Sequence, residues 1–212
     1  MREKMSEQLP QSGLYLVTPN WDDTEELLAV TEVALQAGVS VLQYRHKTAS
    51  SEQRFEQAQA LLKLCRVHKV PFIINDHIGL CAELDADGVH VGGTDMGVGE
   101  ARVLLGKNKI IGASCYGELV LAENAYVQQA SYVAFGGFYP SVVKQYPVTT
   151  PPDILVRAKA VIPLPIVVIG GMTPELAQPL VNRGANMVAA ISSVYNSLDP
   201  HSAVREFVSL FK

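Results

Sequence analysis

The stretch Val39-Ser40-Val41-Leu42-Gln43-Tyr44-Arg45-His46-Lys47 passes from a mostly apolar run straight into a polar cluster. The pattern recurs where Phe72-Ile73-Ile74 is followed by Asn75-Asp76. Strands of an all-parallel sheet are buried on both faces and read as continuous apolar runs. Polar groups set beyond the ends of several such strands meet in one pocket only if the sheet closes, and parallel barrels carry their active site at that C-terminal mouth.

The alternation extends in both directions. Strand-like runs are predicted at 13–17, 39–43, 71–74, 87–91, 109–113, 131–135, 165–169 and 187–191, separated by helical patterns near 22–37, 51–68, 78–84, 98–105, 117–129, 151–160, 174–183 and 200–211. In the first helical segment Leu27, Leu28, Val30, Ala34 and Leu35 recur near i, i+3, i+4. Glycine closes helices at Ala37-Gly38, Leu105-Gly106 and Arg183-Gly184, and Thr173-Pro174 opens one with proline in the first turn. Eight βα units in 212 residues predict an α/β fold, a single (β/α)8 TIM barrel over 13–212 behind a polar N-terminal tail at 1–12. A doubly wound nucleotide-binding sheet would place glycines after its first strand, whereas this one ends Val17-Thr18-Pro19-Asn20. The G-x-G-x-x-G and G-x-x-x-x-G-K-[ST] motifs are both absent.

A formal net charge of −4 without a basic stripe argues against nucleic acid and anionic membranes as partners. Three cysteines, Cys65, Cys81 and Cys115, form no C-x-x-C pair and suit reduced thiols in a cytoplasmic protein. The first ten residues lack the apolar core of a signal peptide, and no apolar run nears the ~20 residues that span a bilayer. The expected partners are small phosphorylated molecules, with homo-oligomerisation left open.

The clusters at the strand ends carry the chemistry. Gln43 and Arg45 share a face by the two-residue period, with Lys47 in the loop beyond, and two cations beside an amide suit a polyphosphate. Asp76 and Asp95 follow the third and fourth strands, whose ends lie about 4.8 Å apart. They suit either Mg²⁺, held by one or two carboxylates plus water and phosphate oxygens, or helix capping. Ser114 can hydrogen-bond a substrate heteroatom; no nucleophile elbow surrounds it, and no histidine is placed by sequence to act as its base. Cys115 is read as packing. Residues 136–150 form a long connection with one cation, Lys144, suited to closing over a phosphate. Gly170-Gly171 and Ser192-Ser193 follow the last two strands, where barrels frequently hold a phosphate.

In this order the clusters resemble the thiamine-phosphate synthase family: Q-Y-R-x-K at 43–47, N-D at 75–76, D-G-V-H-V-G-x-x-D at 87–95, I-G-A-S ending at Ser114, F-G-x-x-Y-P-S-x-x-K at 135–144 and I-G-G-M-T from Ile169. The resemblance implies a transferase that joins a pyrimidine methyl pyrophosphate to a thiazole phosphate and releases pyrophosphate. It implies that Gln43, Tyr44, Arg45, His46, Lys47, Asn75, Ser114 and Lys144 bind the pyrimidine pyrophosphate. Arg45, Lys47, Ser114 and Lys144 would act in catalysis, and Asp76 and Asp95 would hold one Mg²⁺. Ser141, Val143, Gly171, Ile191 and Ser192 would hold the thiazole phosphate.

The chain departs from the family pattern at His46, usually Glu, at Gly137, usually Pro, at Tyr116, frequently His, and at Val143, usually Thr. Val143 has no hydroxyl to offer a phosphate. Two other roles use a related barrel: a thiazole tautomerase, and a non-catalytic protein that binds thiazole phosphate. Neither has a use for Asp76, Asp95 and Lys144 together.

Overall fold

The computed structural model describes residues 9–92, 97–140 and 150–212. Eight strands close in sequence order into a barrel: β1 (Gly13–Val17), β2 (Val41–Tyr44), β3 (Phe72–Asn75), β4 (Gly88–Val91), β5 (Ile110–Tyr116), β6 (Tyr132–Gly136), β7 (Ile166–Ile169) and β8 (Met187–Ala190). Every pair is parallel, including β1 with β8. The helices between them are α1 (Thr24–Ala37), α2 (Ser51–His68), α3 (Ile78–Leu84), α4 (Val98–Leu105), α5 (Leu119–Val127), α6 (Ile154–Val161) and α7 (Pro174–Asn182). A short α8 (Ser192–Tyr195) and α9 (Pro200–Ser209) follow β8. The expected (β/α)8 barrel is what the chain forms.

Helix starts follow from local chemistry. Asp23 accepts from the Glu26 N–H and Ser50 from the Gln53 N–H, so each satisfies a donor that the first turn leaves without an intrahelical partner. Thr173 caps α7 in the same way, with Pro174 in its first turn, where a missing N–H costs nothing.

Strand parity splits the core in two. Leu14, Leu16, Leu42, Ile74, Val89 and Val91 face outward and pack under the helices. Tyr15, Val17, Val41, Ile73, Ile110, Tyr132, Ala134, Val167, Met187 and Ala189 fill the barrel. Leu9, only 8% exposed, joins that inner cluster, so part of the segment read as a polar tail contributes to the interior. Asp87, at the N-terminal end of β4, accepts the Phe72 backbone N–H at 2.8 Å, a structural task far from the mouth.

The register sets Asn75, His90, Gly112 and Tyr132 side by side on four neighbouring strands. A side chain at Gly112 would collide with the end of the Tyr132 ring. Gly112→Ala is therefore expected to destabilise the fold by about 1–3 kcal/mol, the usual cost of overpacking, because the fully buried ring has no room to yield. A lowered denaturant midpoint with an unchanged slope is the check.

Candidate active site

The cavity at the C-terminal mouth takes a lining residue from every strand or the loop after it. One side is polar: Gln43, Arg45, Lys47, Asn75, Asp76, His90 and Ser114. The other is mainly apolar: Ala134, Val167, Ile169, Ala189 and Ile191. Such a pocket can hold a charged group at one wall and pack a heteroaromatic ring at the other.

On the polar side, Gln43 and Arg45 project inward and are buried, at 5% and 8% exposed. Thr18 clamps the backbone of Arg45, its hydroxyl donating to the Arg45 carbonyl at 3.1 Å and accepting from the Arg45 N–H at 2.8 Å. The Lys47 N–H donates to Asn20 Oδ1 at 3.2 Å, while its ammonium lies 3.9 Å from Asp76 Oδ2. Asn75 Nδ2 donates to the same Asp76 oxygen at 2.5 Å. Asp76 itself sits at φ 61°, a left-handed conformation that Asp and Asn tolerate better than most residues.

Tyr44 and His46 lie outside this lining and instead line an adjoining cavity together with Lys47, Asn75 and Asp76. Period-two alternation turns them toward α2, where Tyr44 donates to Gln57 Oε1 at 3.0 Å and His46 Nδ1 lies 3.2 Å from the same oxygen. Gln57 in turn donates to the Trp21 carbonyl at 3.0 Å. The departure at His46 thus falls at a buried residue that neighbours Lys47, Asn75 and Asp76.

Ser114 sits within β5, which runs on to Tyr116 through a shift in register against β6. The sequence places no histidine to act as its base, but the fold brings one within reach: His90 Nε2 lies 2.9 Å from Ser114 Oγ, across neighbouring strands. His90 Nδ1 meets the Tyr132 hydroxyl at 2.9 Å, a phenol where a catalytic triad places a carboxylate. The pair is therefore built for hydrogen bonding. Cys115 is fully buried, and burial pushes its thiol up to about 12, which fits packing and not reactivity. Tyr116 lines the mouth at φ 51°, 38% exposed.

On the far side Gly171, at φ 62°, approaches the Pro140 carbonyl so closely that a Cβ would collide with it. The loops after β6 and β7 therefore touch. Ile191 lines the cavity, and Ser192 opens the short α8, the kind of extra helix that often accompanies a phosphate site in barrels. Thr150 donates its hydroxyl to the Gly136 carbonyl at 2.6 Å and its N–H to Gly137 at 3.2 Å. Thr150 is thus held against the end of β6. Asp95, Ser141, Val143 and Lys144 lie outside the described residues.

The thiamine monophosphate synthase family model matches residues 14–194. The chain belongs to that family. It is 62% identical over 199 residues to the thiamine-phosphate synthase of Janthinobacterium sp. (strain Marseille), covering 94% of this chain and 96% of that protein. The corresponding enzyme of Nitrosomonas eutropha is 45% identical over 200 residues, 94% of each chain. Among solved structures, the thiamine phosphate pyrophosphorylase of Pyrococcus furiosus superposes with a TM-score of 0.83 at 27% identity, covering 98% of this chain and 97% of the other. The chain is accordingly a transferase of the thiamine-phosphate synthase type, and no helix among the described residues is long and apolar enough to cross a membrane.

Proposed function

We propose that the mouth cavity couples 4-amino-2-methyl-5-(diphosphooxymethyl)pyrimidine to a thiazole phosphate by a dissociative displacement. The observation that carries this reading is the division of one cavity into a cationic, amide-bearing wall and an apolar wall. Gln43 and Ser114 face the pyrimidine, and Arg45, Lys47 and Asn75 face its pyrophosphate. Gly171, Ile191 and Ser192 hold the thiazole phosphate opposite, with Ser141 and Val143 assigned there from the family resemblance.

As the C–O bond breaks, charge gathers on the departing pyrophosphate oxygen. Arg45 and Lys47 stabilise it electrostatically, with Lys144 assigned to the same role from the family resemblance. A benzylic-type pyrimidine cation remains, and the thiazole nitrogen, held alongside, attacks it. The protein's work is ionisation and positioning, so no covalent nucleophile is required.

Mg²⁺ fits the donor set. Asp76 is the carboxylate that lines the cavity among the described residues, a hard oxygen donor beside the pyrophosphate cations, and no group of three metal-ligating side chains is found among those residues. Mg²⁺ commonly takes one or two carboxylates and completes its shell with water and phosphate. Asp76 and Asp95 would hold it, and when bound it would supply further charge stabilisation to the leaving group. We further propose a cytoplasmic enzyme of small phosphorylated substrates, without nucleic-acid or membrane partners, a reading in keeping with the formal net charge of −4.

Incubation with both substrates and Mg²⁺ is expected to yield thiamine phosphate and pyrophosphate in equal amounts. Isomerisation of the thiazole without any coupling would assign the cavity to a tautomerase instead.

A further inference from the structure

Five side chains form a continuous hydrogen-bonded chain across the barrel interior, and the coupling chemistry above uses only its two ends. Gln43 Nε2 donates to the Tyr15 hydroxyl at 2.8 Å, and that hydroxyl meets the Tyr132 hydroxyl at 2.6 Å. Tyr132 meets His90 Nδ1 at 2.9 Å, and His90 Nε2 meets Ser114 Oγ at 2.9 Å. The arrangement is built into the packing. The His90 and Tyr132 rings stack at 5.6 Å, and Gly112 leaves room for the Tyr132 hydroxyl end. A Cβ at Gly92 would lie 2.8 Å from Ser114 Oγ. Burial raises both phenols above their usual range, so each keeps its proton.

Each link carries one hydrogen, and a neutral imidazole donates from one nitrogen while accepting at the other. The direction of one link therefore fixes the rest. With Gln43 donating to Tyr15, Tyr15 donates to Tyr132, Tyr132 to Nδ1, and Nε2–H to Ser114. The Gln43 carbonyl and the Ser114 hydroxyl hydrogen are then left for the cavity. In the opposite direction Ser114 donates to Nε2, Nδ1–H to Tyr132, Tyr132 to Tyr15, and Tyr15 to a turned-over Gln43 carbonyl. The amide NH₂ and the serine lone pairs then face the ligand. A mixed direction either strands a buried hydroxyl hydrogen or sets two oxygen lone pairs face to face across the 2.6 Å Tyr15–Tyr132 contact, and folded proteins avoid both.

We infer that Tyr15, Tyr132 and His90 are positioning residues that force Gln43 and Ser114 to present opposite hydrogen-bonding character. The pocket then offers one acceptor and one donor together, the complement of an aminopyrimidine edge with its amino N–H and ring-nitrogen lone pair. This rests on the assignment of Gln43 and Ser114 to the pyrimidine.

Gln43→Glu tests it, because an ionised carboxylate near Arg45 can only accept and obliges Tyr15 to donate to it. Nitrogen NMR of the His90 ring, in protein saturated with 4-amino-5-hydroxymethyl-2-methylpyrimidine, is expected to show the proton on Nε2 in the parent and on Nδ1 in Gln43→Glu. Adding Tyr132→Phe, which cuts the chain, should uncouple the His90 proton from the residue at position 43. A proton that stays on Nε2 in Gln43→Glu with the chain intact overturns the inference. Should Gln43→Glu fail to fold, Tyr15→Phe serves: KM for the pyrimidine pyrophosphate should rise about tenfold, with KM for thiazole phosphate unchanged. An unchanged pyrimidine KM there would equally overturn it. Failure of the parent to bind the aminopyrimidine would instead remove the assignment on which the inference rests, and the inference with it.

Discussion

Asp76→Asn is expected to weaken the Mg²⁺ dependence of coupling and to slow it severely. Losing a partner that merely supports a metal ligand typically costs about 10–100-fold in affinity or activity, and removing a charged ligand from a site with few protein ligands should cost more. The substitution is unusually clean. Asp76 holds φ 61°, and Asn is among the residue types that tolerate the left-handed region, so the backbone has no reason to move. Alanine there would add strain of about 1–2 kcal/mol and blur the result. The amide can still meet Asn75, but it gives up the charge facing the Lys47 ammonium 3.9 Å away. Initial rates across a Mg²⁺ titration decide the matter: a near-parental rate with an unmoved titration curve would remove Asp76 from the metal site.

The barrel was legible because its signal is periodic. Runs such as Ile166-Val167-Val168-Ile169 can be buried on both faces only in a parallel sheet, and the intervening helical spacing leaves a single way to connect them. What escaped was local. β5 runs on through Ser114, Cys115 and Tyr116, where hydroxyl, thiol and aromatic residues follow the apolar run, and the register shift against β6 leaves no mark in composition. The four residues of α8 are too few to show a helical period.

Within the site, parity carried more information than residue type. The odd positions 43, 45 and 47 reach the cavity, whereas Tyr44 and His46 turn to Gln57, a division that the two-residue period already contains. Treating the five-residue motif as one block hid it. Tyr15, His90 and Tyr132 were missed for the opposite reason. Each lies inside an apolar strand and reads as core, and Tyr15 and Tyr132 do pack in the inner cluster. The available signal was an imidazole at the inward position of Gly88-Val89-His90-Val91, since a polar side chain inside a barrel must find partners on neighbouring strands.

Arg45→Ala should produce the other large loss, on the order of 10²–10³-fold in kcat, the range seen when one donor to a developing oxyanion is removed. Arg45 is only 8% exposed, with its main chain fastened to Thr18 on both its N–H and its carbonyl. With its backbone held and its side chain largely buried, the guanidinium would meet the pyrophosphate with little screening by water. Its attraction grows as the C–O bond opens and charge collects on the leaving oxygen, so kcat should fall more than KM rises. Arg45→Lys separates charge from geometry. A lysine restores a point charge but not the planar fork that grips two phosphate oxygens, so it should recover substrate affinity more fully than turnover. Steady-state kinetics on both variants with pyrimidine pyrophosphate varied is the measurement. An alanine variant that raised KM alone, at the parental kcat, would mean that Arg45 holds ground state and transition state equally and takes no part in expelling pyrophosphate.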